Sequence, residues 1–120
     1  DHPNTADIEI LGVTGHTLSI RGESVGGGKM KIVRIDNIDV EFTGEYSTLI
    51  VHQLDKPGVI AHITQALSEQ NVNIAFMRLF REDKGKAAYT VVESDEHIPE
   101  EVLARIRTNP NVSDLMLIQV

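Results

Sequence analysis

The residues best suited to chemistry gather at one corner, Gln53-Leu54-Asp55-Lys56-Pro57-Gly58-Val59. Proline removes an amide donor and glycine removes a side chain, so the amides of Gly58, Val59 and Ile60 stand accessible at the positive end of a following helix. A carboxylate is stabilised in such a place. Asp55 can balance an ammonium, and Asn73, at the start of a later strand, carries an amide that both donates and accepts. Together these groups suit a small amino-acid zwitterion. The same residues also have plain structural uses, Asp55 as a helix cap and Asn73 in a tight turn, and both readings satisfy the residue types.

A second candidate is the run Ser24-Val25-Gly26-Gly27-Gly28-Lys29. It resembles a phosphate cradle only in outline. Met30 stands where a Walker loop needs Ser or Thr, Glu23 stands where it needs Gly, and Lys31 replaces the third glycine of a dinucleotide motif. It reads either as a strand connection or as a loop whose bare backbone approaches a ligand. The 5 histidines include no pair at i,i+2 or i,i+4, so no metal site is expected. No serine lies in a nucleophile-elbow sequence.

Composition narrows the classes further. With 11 Lys+Arg against 18 Asp+Glu, the formal charge of −7 argues against nucleic acid and anionic membrane surfaces, which need clustered bases. The chain has no cysteine, which excludes disulfides and thiolate metal ligation within it and fits a reducing, cytoplasmic setting. The longest apolar runs are far shorter than the roughly 18 residues a membrane span needs. The first residues lack an initiator Met and the regions of a signal peptide, so an upstream portion is expected.

The elements that must hold these groups fall into two blocks. Residues 7–11, 16–21, 29–36 and 38–42 read as short strands with glycine punctuation, and no helix is expected before residue 44. The boundary falls at 44–47, giving domains at 1–46 and 47–120. From there, strands at 48–53, 74–81, 87–93 and 112–120 alternate with helices. The first helix runs to Gln70 with a stripe of Ile60, Ile63 and Leu67, and the second starts at Pro99 with a stripe of Val102, Leu103 and Ile106. Asp83-Lys84-Gly85 reads as a hairpin turn. The order is βαββαβ, a ferredoxin-like arrangement with both helices on one sheet face, so the fold class is α+β. In strand 74–81, Phe76, Arg78 and Phe80 share one face while Met77 and Leu79 share the other. Both faces are apolar and both need cover; a second copy of the chain or the first block would supply it, and a second copy would make a dimer.

Asp55-Lys56-Pro57-Gly58-Val59-Ile60, Asn71-Val72-Asn73-Ile74-Ala75 and the frame over 48–120 resemble an ACT domain, a regulatory module that binds amino acids at subunit interfaces. The resemblance implies that an effector lies between the first corner of one copy, at Gln53, Asp55, Gly58, Val59 and Ile60, and Asn73 of another. Asp55 stands where several members carry Asn. His2-Pro3-Asn4-Thr5-Ala6 and the Ser24–Lys29 run are similar to the later half of the β domain of bacterial iron-sulfur L-serine dehydratases, which directly precedes an ACT domain.

That second resemblance implies a parent enzyme converting L-serine to pyruvate and ammonia. Its [4Fe-4S] cluster would sit on the cysteines of a separate α subunit or domain, and this portion alone would be non-catalytic. It also implies that His2, Asn4, Thr5, Ser24, Gly26, Gly27 and Gly28 form a substrate or effector loop. D-3-phosphoglycerate dehydrogenases, some of which carry a similar pair of domains, are the alternative parent, and a purely dimerising ACT domain is the alternative role. Alanine at His2 in the intact enzyme is expected to change turnover or serine affinity, and unchanged kinetics would remove the role given to that loop.

Overall fold

The computed structural model describes residues 5–12, 15, 17–27, 29–43, 47–81 and 86–118. His2, Asn4 and Gly28 of the proposed loop lie outside them, as does the 83–85 turn. Ten elements follow in order: β1 (Thr5–Leu11), β2 (Thr17–Gly26), β3 (Lys29–Ile35), β4 (Ile38–Thr43), β5 (Ser47–Leu54), α1 (Val59–Glu69), β6 (Phe76–Arg81), β7 (Ala87–Ser94), α2 (Glu100–Arg107) and β8 (Val112–Ile118).

The first four strands form an antiparallel meander, β1-β2-β3-β4, and no described residue before β5 is helical. The rest form the βαββαβ unit with strand order β6-β7-β5-β8, the ferredoxin-like arrangement expected from the pattern. Both helices cover one face of this second sheet. Val59, Ile63, Ala66 and Leu67 of α1 and Val102 and Ile106 of α2 pack on Leu49, Val51, Val92 and Leu115. Ile63 and Leu67 of the expected α1 stripe are buried, but its first member is Val59, and Ile60 is only half-buried. The ends of α2 follow its macrodipole, with Glu100 and Glu101 in the first turn and Arg105 and Arg107 in the last.

The opposite face of the second sheet is covered by the meander. Leu18, Ile20, Ile35, Ile38, Val40 and Phe42 pack on Ile50, Phe80, Tyr89, Val91 and Met116. Phe80 meets Phe42 with ring centroids 6.4 Å apart, and the Arg78 guanidinium lies 4.9 Å over the Phe80 ring. Of the two covers foreseen for β6, the first block supplies this one. The packing argument for a second copy therefore loses its premise, and a charge placed at Phe80 would attack the fold itself.

Two polar contacts fix how the sheets meet. The Tyr89 hydroxyl donates to Asp36 Oδ2 at 2.5 Å, while Asp36 Oδ1 accepts from the Ser19 amide. Asp36 holds φ 51° at the β3–β4 turn, a conformation that a short polar side chain tolerates. His52 stacks on the Tyr89 ring at 4.6 Å. At the other strand end, a Cβ on Gly12 would fall 2.0 Å from Asp114 Oδ2, so the close approach demands glycine. The outer face of the meander is polar, with Arg21–Asp7 and Lys31–Glu41 ion pairs exposed to water. The hydrogen bond from Arg21 holds the Asp7 carboxyl below the usual carboxylate range. Such exposed pairs stabilise little. No described helix is long and apolar enough to cross a membrane.

Tyr89→Phe is expected to lower stability by about 1–3 kcal/mol in urea denaturation, because Asp36 loses a donor in the inter-sheet contact. Gly12→Ala is expected to cost roughly as much or more through overpacking against Asp114.

Candidate functional site: the strand-to-helix corner

β5 ends where three successive amides are already committed. Leu54 N–H donates to Asn111 O at 2.8 Å, Asp55 N–H to Lys86 O, and Lys56 N–H to Leu54 O. Pro57 has no N–H, and Gly58 turns the chain with φ 90°, which a side chain would strain. Gly58 then serves as the N-cap of α1. Its carbonyl accepts from His62 N–H, and no side chain caps the helix. Among the described residues, the amides of Gly58, Val59 and Ile60 donate to no backbone carbonyl. The helix start is thus left with donors and positive partial charge.

An open cleft of about 460 Å³ lies at this corner, lined by Asp55, Lys56, Pro57, Gly58, Ile60, Leu79 and Arg81. That volume is in the range of small-molecule sites. The structure brings Asp55, Gly58 and Ile60 together there. It adds Leu79 and Arg81 from the end of β6, which sequence reading had not placed at the site. Arg81 Nε lies 3.0 Å from Asp55 Oδ2; the Asp55 side chain is 12% exposed and that of Arg81 54%. The separation of 26 residues hides this pair from any local pattern.

The remaining candidates sit elsewhere. Gln53 points to the helix side of β5 and is buried, accepting from Thr90 Oγ1 at 2.6 Å. Val59 is part of the core beneath α1. Asn73 is exposed toward the opposite end of α1, in a cleft with Thr64, Ser68, Asn71, Val72 and Ile74. Its N–H donates to Glu96 Oε1 at 2.8 Å, and its carbonyl accepts from Ser94 Oγ. Within one chain, Asn73 and Asp55 do not share a cleft. Thr5 is exposed at the start of β1, opposite Glu23 of β2. Ser24 and Gly26 extend β2 and face water, and Gly26 and Gly27 take φ 93° and 63° in the β2–β3 turn. Among the described residues, no group of three or more His, Cys, Asp or Glu is placed to hold a metal.

Residues 47–111 match the ACT domain family, and the chain belongs to it. It is 32% identical to a probable L-serine dehydratase beta chain of Bacillus subtilis (strain 168) over 111 residues, covering 92% of this chain and 50% of that one. It is also 32% identical to the L-serine dehydratase beta chain of Peptoniphilus asaccharolyticus, covering 88% and 47%. A D-3-phosphoglycerate dehydrogenase of Methanocaldococcus jannaschii is 30% identical over 77% of this chain and 18% of its own. The chain therefore spans about half the length of the dehydratase beta chains it matches, and the similarity runs through both sheets.

Thr90→Val is expected to cost about 1–3 kcal/mol by leaving the buried Gln53 carbonyl without this donor. The Gln53→Leu/Thr90→Val double variant should recover most of that loss in a denaturation cycle, because both polar partners are then gone.

Proposed function

We propose that this chain is the regulatory portion of an L-serine dehydratase, and that its corner cleft holds an amino-acid effector, with L-serine the first candidate. The observation that carries the reading is the uncapped α1 start opening beside a cleft of small-molecule size, in a chain similar along both sheets to dehydratase beta chains. Helix-start amides favour a carboxylate, and the Ile60 and Leu79 side chains give the cleft an apolar wall.

A homodimer through β6 completes the site. β6 is an edge strand of the second sheet. Antiparallel pairing of two β6 edges about a two-fold axis runs the start of one copy's strand along the end of the other's. That pairing carries Asn73, just before β6, toward the partner's Arg81 and corner cleft, which is how two residues at opposite ends of α1 can share one ligand.

Catalysis belongs to the α subunit or domain of the parent, in the cytoplasm, and this portion alone is silent. A cysteine-ligated [4Fe-4S] cluster does not fit the chain, which has no cysteine. Such a cluster belongs to the α portion. Serine bound at the corner then acts on turnover through the shared assembly. A second reading, the C-terminal region of a D-3-phosphoglycerate dehydrogenase, is favoured by the Methanocaldococcus similarity. A Gly-x-Gly-x-x-Gly motif far upstream in the parent gene would select it.

Calorimetry on the 120-residue chain is expected to show L-serine binding in the micromolar to millimolar range, about 4–8 kcal/mol. Asn73→Ala should weaken it while leaving the fold intact. A chain that is monomeric in light scattering and whose melting temperature no amino acid raises would remove the effector reading.

A further inference from the structure

The acid of the corner is already engaged. Asp55, the only carboxylate lining the cleft among the described residues, is nearly buried and lies 3.0 Å from Arg81 Nε, whereas the Arg81 side chain is more than half exposed. Lys56, also exposed, adds a second cation to the lining. A ligand ammonium seeking Asp55 would have to enter beside a guanidinium and share its partner, and like charges at that range repel. A ligand carboxylate meets the reverse situation. Arg81 presents a planar donor fork that suits it, and the α1 amides reinforce the same sign of charge.

We propose that Arg81 is the specificity-determining residue of the cleft, reading the carboxylate of its ligand, with Asp55 as the positioning residue that holds the guanidinium. The cleft then takes small carboxylates as a class, and the ammonium adds little. A 2-oxo or 2-hydroxy acid binds about as well as the amino acid of the same size. In an enzyme that removes the amino group of its substrate, such a site responds to product as well as substrate. The inference rests on the effector reading above and deepens it.

The test uses three probes on the unmodified chain. L-Serine carries both charges, L-glycerate replaces the ammonium with a hydroxyl, and serinol replaces the carboxylate with a hydroxymethyl group. Calorimetry is expected to place L-glycerate within about threefold of L-serine and serinol at least about thirtyfold weaker, with both carboxylates weakening as salt rises. Arg81→Gln should weaken L-serine and L-glycerate together by about tenfold or more, and Arg81→Lys should recover part of it. L-Serine binding with L-glycerate excluded, or with Arg81→Gln neutral, would overturn the role of Arg81 and leave the effector reading standing. Failure of both carboxylates to bind the folded chain would overturn the two together.

Discussion

The structure depends on one constraint: β5 and β7 are apolar on both faces. Leu49 and Val51 point to the helices while Ile50, between them, points the other way, and all three are fully buried. A sheet of this kind cannot leave either side in water, since each large aliphatic side chain is worth roughly 1.5–3 kcal/mol when buried. Two helices supply one cover and the β1–β4 meander supplies the other. The meander benefits as well, because a sheet of about 40 residues with one apolar face has little stability by itself. The two parts share a core.

That sandwich explains why the corner can remain unsatisfied. The Pro57-Gly58 turn has no side-chain cap and places Gly58 at positive φ, so it contributes little to stability. It is held by its surroundings instead. Asn111 and Lys86 fix the end of β5 through backbone hydrogen bonds. On α1, His62 Nδ1 lies 3.1 Å from Asn109 Nδ2, and because Asn109 Oδ1 already accepts from Asn111 N–H, the histidine nitrogen must be the acceptor. Arg105 reaches Glu69 from α2. The uncapped turn therefore sits between anchored segments, which hold its shape without a cap.

Much of this was legible in the chain because its signals are local. Alternation in 17–21 and 31–36, the Pro-Gly break, and the acids and bases at the two ends of α2 each act over a few residues. They gave the βαββαβ order and nearly all the strands. What was missed depends on contacts distant in sequence. Ile60 and Val59 both suit an apolar stripe, and only the angle of α1 on the sheet decides that Val59 goes under. Gln53 looks like a polar group at a strand end, yet its parity on β5 turns it inward to Thr90. The Asp55–Arg81 pair joins the end of one strand to the end of another, and no spacing rule announces it.

The same pair shows how two opposite charges set the electrostatics of the corner. Asp55, just past the end of β5, puts a negative charge beside the helix-start donors of α1. A lone acid there would offset the positive end of the helix. Arg81 offsets that charge at 3.0 Å. Positions 55 and 81 therefore act as a unit: Asp55 alone would leave the corner negative, Arg81 offsets it, and Asp55 in turn holds the guanidinium at the cleft wall.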